Sequence, residues 1–239
     1  MKIRYSVWVL VIAWIAGLIP CSAQIISVEQ AKTEIRKITV AYKNCKQLSV
    51  SASASYFSNS TDNKPNGKEV FTVKMKGGKL YYKMNSMERV SDMQQSVIVD
   101  HKDKILILDK ATDLSVKGDP AKVFQHEEIL RSCSSIQSIQ VDANSKAFIF
   151  SFDKHKYKSI TIQYNLNTHF IEKATMVFSR NGKAGTMAII EYTKIDNQTP
   201  VDESFNVDRY IVYDKKKKVF SPATGYEDYE FINHINNSR

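Results

Sequence analysis

The sequence has no G-x-S-x-G elbow, no P-loop and no G-x-G-x-x-G run, so nucleophilic and nucleotide chemistry find no support in its motifs. Its five histidines, His101, His126, His155, His169 and His234, are scattered, and none stands at ligand spacing from another His or a Cys. His126-Glu127-Glu128 lacks the second His of a zinc helix, so neither a metal nor a cofactor is expected. The acidic pairs Asp202-Glu203 and Glu227-Asp228 are adjacent in sequence and would point to opposite faces of a strand, which reads as solvation. A hydrolase would need two facing acids assembled from distant strands, a spacing that exists only in space. Internal repeats and low-complexity linkers are also missing, which favours a single domain. Both tryptophans, Trp8 and Trp14, lie in the first residues, and cysteine is limited to Cys21, Cys45 and Cys133.

What is present begins with an export signal. Lys2 and Arg4 precede an uncharged apolar run from Tyr5 to Ile19, then Pro20 and the small-residue site Cys21-Ser22-Ala23. This predicts a secretory signal peptide over residues 1–23 and a mature chain starting at Gln24. The run is short for a retained membrane span. Leu18-Ile19-Pro20-Cys21 carries a second reading, a lipidation box with Cys21 acylated, although Pro20 stands where a small residue is needed. Residues 24–239 suffice for one domain with a substantial core. Cys45 and Cys133 then remain, an even count in an oxidising compartment; they could form a disulfide, or each could pack on a helix as a small hydrophobe.

The net charge is +9, or +7 once Lys2 and Arg4 are removed, and the lysines are spread through strands and turns. Such lysines read as solvated faces and edge protection. Nucleic acid would require a basic patch interleaved with stacking aromatics, so no nucleic-acid partner is expected. Lys215 to Lys218 form the one dense run, read as a solvated strand end or turn, with anionic headgroups or an acidic partner as the other use.

Residues 68–76, KEVFTVKMK, and 79–85, KLYYKMN, alternate apolar and polar positions on either side of Gly77-Gly78. That pattern predicts a hairpin on a two-residue turn. Pairing outward from the turn sets Met75 opposite Leu80, Val73 opposite Tyr82 and Phe71 opposite Met84 on one face, with Lys74, Lys76, Lys79 and Lys83 on the other. The apolar face is expected on the concave side of a sheet. It needs a helix, a second sheet or a ligand over it.

Ser27-Val28-Glu29-Gln30 reads as a capping box for a helix ending near Gln47, with Ala31, Ile35, Ile38, Tyr42 and Cys45 in one stripe. From Leu48 the period falls to two, as Leu48, Val50, Ala52, Ala54 and Tyr56 alternate with serines. Short strands follow around 88–91, 96–100 and 104–109, and the runs VIV and ILIL predict a sheet covered on both faces. Asp119-Pro120 supplies a cap and a first-turn proline for a helix to about Cys133, a natural lid that would use Val123, Phe124, Ile129 and Leu130. A second meander is predicted over 136–141, 146–152, 158–165, 169–179 and 183–195. Direct pairing across Asn181-Gly182 would set Phe178 by Gly185, Met176 by Met187 and Ala174 by Ile189. Strands resume around 205–213, and the tail 226–232, YEDYEFI, is expected as a last edge strand.

Candidate ligand-lining residues are therefore Phe71, Val73, Met75, Leu80, Tyr82, Met84 and Ile98 from one part of the sheet, and Phe148, Phe150, Phe152, Met176 and Met187 from another. For each alone, ordinary core is the plainer reading. Together, the methionines and small side chains suggest an adaptable lining.

The order of signal peptide, amphipathic helix, long meander, interrupting helix and second meander resembles the LolA/LolB family of periplasmic lipoprotein carriers. Its best local match is FTVKMKGGKLYYKMNSMERVSDMQQSVIVDHKDKILIL, in which Val90, Ser91 and Asp92 match the family's V-S-D and Met93-Gln94-Gln95 replaces its Gly-Lys-Thr. The resemblance implies a mainly β fold with two or more α-helices: a curved, incompletely closed antiparallel β-barrel with a helical lid. It implies a non-enzymatic carrier, monomeric and without cofactor, in the periplasm of a Gram-negative bacterium. The implied cargo is the acyl chains of a lipidated protein, or another lipid or hydrophobic ligand, moved from an inner-membrane donor protein toward an outer-membrane acceptor. With Cys21 lipidated the same fold would be a membrane-anchored receptor. With its cavity filled by side chains it would be an interaction module using the sheet edge or the 226–232 tail.

Overall fold

The computed structural model describes residues 23–111, 127–197 and 202–235. The N-terminal segment, Asp119-Pro120, Val123 and Phe124 lie outside the described residues, as does the side chain of Ile129. Helix α1 (Val28–Lys43) starts at the expected box: the Gln30 amide donates to Ser27 Oγ at 3.2 Å, and the Ser27 amide donates to Gln30 Oε1 at 2.9 Å. It buries Ala31, Ile35, Ile38 and Tyr42. Asn44 caps the helix earlier than the stripe predicts, so Cys45 lies beyond it and its Sγ donates to the Ala41 carbonyl at 3.3 Å.

The strands are β1 (Gln24–Ile25), β2 (Gln47–Phe57), β3 (Gly67–Lys76), β4 (Lys79–Met84), β5 (Met87–Ser91), β6 (Gln95–Asp100) and β7 (Ile105–Lys110), then, after α2 (Glu127–Ser132), β8 (Ser135–Gln140), β9 (Ser145–Ser151), β10 (Tyr157–Asn165), β11 (Ile171–Arg180) and β12 (Lys183–Asp196). With a late strand, β15 (Glu230–Asn233), they form one sheet in the order β1-β8-β9-β10-β11-β12-β2-β3-β4-β5-β6-β7-β15. Its pairs are antiparallel except β7 with β15, and β1 and β15 are its two edges. This is the expected incompletely closed antiparallel arrangement.

Two cores lie on opposite faces of that sheet. On one face, α1 packs with Leu48 and Val50 of β2, Ile136 of β8, Phe148 and Phe150 of β9, Ile160, Ile162 and Tyr164 of β10, and Ile171 of β11. Strands far apart in the order meet the same helix, so the sheet curls around it. Two hydrogen bonds tie the helix in place: Tyr164 Oη to Glu34 at 3.1 Å, and the Ile171 amide to Tyr42 Oη at 3.2 Å. On the reverse face, Val90, Val97, Val99, Leu106 and Leu108 are covered by the C-terminal segment through Val207, Tyr210 and Ile211.

Three departures from the sequence reading have local causes. Beyond Asn181-Gly182 the first pairs are Arg180 with Lys183 and Ser179 with Ala184, but the register then shifts, so that Val177 meets Met187, Met176 meets Ala188 and Ala174 meets Ile190. Gly185 sits in this bulge, where a Cβ would stand 2.9 Å from Arg180 Cβ and 3.3 Å from the Phe178 carbonyl oxygen. Residues 205–213 are mostly not a strand. Two 3₁₀ turns, Asp202–Phe205 and Val207–Arg209, precede β13 (Ile211–Asp214), because Asn206 accepts from the Asp208 amide at 2.9 Å and so caps a turn locally. Strand β13 pairs with β14 (Val219–Pro222) in a separate two-stranded sheet that the sequence reading omitted. The tail does supply an edge strand, β15, although Tyr226 and Tyr229 belong to the turns before it. Cys45 and Cys133 do not form a disulfide.

Candidate ligand-binding face

The β3–β4 hairpin has the expected register: Met75 with Leu80, Val73 with Tyr82 and Phe71 with Met84. Gly77 and Gly78, at φ 54° and 82°, supply the two left-handed positions that a tight hairpin turn demands. Leu48 pairs with Met75 and Val50 with Val73, and all four contribute to the core around α1. The apolar face of the hairpin therefore lies on the α1 side of the sheet. Its lysines face the other way: Lys74 donates to Ser204 Oγ at 3.1 Å, and Lys83 to Glu88 at 2.7 Å.

The same face continues across β5 to β7 through the pairs Tyr82–Arg89, Arg89–Ile98 and Ile98–Ile107. Phe71, Val73, Met75, Leu80, Tyr82, Met84, Ile98, Ile105 and Ile107 are all only half-buried. The VIV and ILIL runs are thus fully buried on the reverse face, through Val97, Val99, Leu106 and Leu108, and only half-buried on this one. Tyr82 Oη donates to Met84 Sδ at 2.9 Å; burial, and then the nearby Glu69 charge, push its hydroxyl pKa up, so it stays a neutral donor.

Where this face meets the end of α1, a cavity of about 170 Å³ opens between Tyr42, Cys45, Leu48, Met75 and Leu80, with Lys46, Lys76, Gly77, Gly78 and Lys79 around it. It is smaller than the roughly 300–1,000 Å³ of sites that enclose a drug-sized ligand. It can take the end of a chain whose remainder lies along the open face. Burial raises the Cys45 thiol pKa, which keeps that wall neutral. A neighbouring hollow of about 480 Å³ shares Cys45 and Lys46 and is bordered by Ala41 and Phe170 together with Asn44, Gln47, Thr168 and Asn197, a more polar lining than that of the first cavity.

The other sequence-derived candidates separate. Phe148, Phe150 and Phe152 are buried, and Met176 packs against the same core around α1. Met187 is corrected: the bulge at Gly185 pairs it with Val177 and Phe57, placing it on the face opposite Met176, so it does not line the α1 side. Leu130 is buried in the core around α1, which makes it part of that packing. Val123 and Phe124 lie outside the described residues.

Arg89 is the residue that sequence reasoning passed over. It sits on the apolar face between Tyr82 and Ile98, and its Nε donates to Ser96 Oγ at 3.0 Å. The strand alternation of MERVS places it there, once β5 is paired to the hairpin. Val90-Ser91-Asp92 has a structural use: Asp92 Oδ1 accepts the Gln94 and Gln95 amides at 2.6 and 2.7 Å, and Ser91 Oγ donates to the Gln95 carbonyl at 3.2 Å, folding the turn into β6.

The polar chemistry is elsewhere. Glu88 is buried on the reverse face and accepts from Lys83 at 2.7 Å and Tyr210 Oη at 2.8 Å, with His101 Nε2 at 3.7 Å. His101 Nδ1 stands 3.1 Å from Tyr229 Oη. This network joins the sheet to the C-terminal segment. Asp228 is ion-paired to Lys104. Among the described residues no group of three His, Cys, Asp or Glu side chains is placed to hold a metal.

No protein-family model matches the chain, and comparison with curated proteins finds no match. Solved structures to which it is similar include an uncharacterized conserved protein of Thermus thermophilus, at 8% identity over 85% of this chain and 99% of that one, with a TM-score of 0.45. The Mycobacterium tuberculosis lipoprotein LppX is similar at 12% identity over 73% of this chain and 99% of that one, with a TM-score of 0.42. A LolA superfamily protein of Nitrosomonas europaea is similar at 10% identity over 74% of this chain and 98% of that one, with a TM-score of 0.34.

Proposed function

We propose that the protein is an exported carrier that shelters the acyl chains of a lipidated protein, or another hydrophobic ligand, against the α1 side of β3–β7. The observation that supports this reading is the contrast on a single face, where Phe148, Ile162 and Tyr164 are buried under α1 while Phe71, Leu80, Tyr82, Met84, Ile98 and Ile107 stay half-buried. An acyl chain gains about 0.8 kcal/mol for each buried CH₂, so about ten methylenes contribute about 8 kcal/mol of gross transfer energy, from which the cost of association is subtracted. The chain would enter the cavity between Tyr42, Met75 and Leu80 and lie across Tyr82 and Ile98.

In this reading the donor and acceptor are membrane proteins on either side of a periplasmic transfer, and the reaction has no covalent step. Native mass spectrometry of the protein exported by its native host tests it: co-purifying acyl lipid is expected. Protein that is clean under several gentle conditions would favour an interaction module. The intact mass in the same experiment shows whether the chain starts at Gln24 or carries an acylated Cys21.

A further inference from the structure

We propose that the β13–β14 hairpin is a membrane-surface anchor that recognises anionic phospholipid bilayers. Its base is fixed, because Ile211 is 2% exposed in the second core and Phe220 packs against the same cluster. Beyond that base, Val212 and Val219 on one face of the hairpin are 50% and 42% exposed, and Tyr213 on the other face is 46% exposed, so apolar side chains flank the tip on both sides. Tyr213 is paired with Phe220, with ring centroids 4.8 Å apart, so the aromatic ring is held by its neighbour before any partner arrives.

The tip is Lys215-Lys216-Lys217-Lys218, all exposed. Asp214 folds it: its Oδ1 accepts the Lys216 and Lys217 amides at 2.8 and 3.0 Å, and its carbonyl accepts the Lys218 amide at 2.7 Å. Lys218 has φ 56°, a left-handed position where glycine would sit without strain, and a fourth cation occupies it. An aromatic and two valines beside four cations match the boundary of an anionic bilayer, where rings settle at headgroup depth and lysines meet the phosphates. A merely solvated turn would need only the lysines. The anchor is independent of whether the open face holds acyl chains.

The test is co-sedimentation of the exported protein with vesicles of phosphatidylcholine alone and of phosphatidylcholine with about one-third phosphatidylglycerol, at low and moderate salt. Binding to the anionic vesicles, weakened by salt, is expected. Converting Lys215, Lys216, Lys217 and Lys218 together to Gln should weaken it by several hundredfold, at about fivefold per lysine. The pair Val212→Ser and Tyr213→Ser should weaken it less while keeping the salt dependence. An unchanged melting temperature for either variant separates anchoring from folding. Equal binding to both vesicle types, no binding by wild type, or full binding by the lysine variant would overturn the proposal. So would capture by soluble polyglutamate without any vesicle binding, which would assign the hairpin to an acidic protein.

Discussion

The α1-side face of the sheet is two surfaces with different duties. From β8 through β11 and β2 it is filled: Phe148 and Tyr164 are fully buried, and Ile162 and Ile171 nearly so. From β3 to β7 the same face is half-bare, and burial has moved to the reverse side, where residues 202–235 cover Val90, Val97, Val99, Leu106 and Leu108. The tightly packed core and the proposed ligand contacts thus rest on different residues. The second half of the sheet can leave its α1 side open because its other side carries a core of its own.

Substitutions in the two regions should therefore behave differently. Phe148→Ala, in the filled half, should cost about 3–5 kcal/mol in denaturant unfolding, because the buried ring leaves a cavity. The removal of a carboxylate between sheet and C-terminal segment comes next. Glu88→Ala strips the acceptor from Lys83 and the Tyr210 hydroxyl and should cost about 2–3 kcal/mol. It should also speed proteolysis within residues 202–235 while sparing the core around α1.

Acid sharpens the same contrast. Burial pushes the Glu88 carboxyl pKa up, but hydrogen bonds from Lys83 and Tyr210 outweigh that and hold it below its ordinary value. A folded value below the unfolded one, about 4.3, gives stability that is complete above that pH and is lost as pH falls through the folded value. Glu34, lowered against its own burial by Lys37 and Tyr164, adds a contribution of the same sign. Stability should stay flat from pH 7 to about 5 and fall below about 4.3, and Glu88→Gln should flatten part of that fall in a pH series of unfolding curves.

Smaller effects are expected at the bulge and on the open face. Gly185→Ala puts a Cβ against Arg180 and the Phe178 carbonyl and should cost about 1–3 kcal/mol, with the methyl resonance of Met187 as the reporter of a changed register. Tyr82→Ala should cost about 1–2 kcal/mol, less than Phe148→Ala, because its ring is only partly buried and loses part of its transfer energy.

Much of this fold was legible from local chemistry. Gly77-Gly78 sets the hairpin register, and a one-residue slip would have reversed every side chain on it. Ser27 and Gln30 announce the helix start through a reciprocal pair of hydrogen bonds. The Asn181-Gly182 turn was equally visible, but its pairing was not. The shift depends on Gly185 lying against Phe178, a contact that alternation of apolar residues does not encode. Strand β14 is four residues long and ends in Pro222, too short to show a period. The cover over Val97 and Leu106 joins residues about a hundred positions apart, so only the folded chain reveals that the ILIL strand spends one face on Val207, Tyr210 and Ile211. Arg89 hid for a related reason: in MERVS it reads as a solvated charge until pairing sets it between Tyr82 and Ile98.

The most direct test of the central claim is a titration of a fluorescent long-chain fatty-acid analogue into wild type, Leu80→Asp and Ile98→Asp, with melting temperatures recorded for each. Saturable binding by wild type is expected, with each substitution weakening it at least about tenfold while the melting temperature moves by only a few degrees, since these side chains stand on the open face. Wild type that binds no probe, or binding that both variants retain in full, would contradict the account.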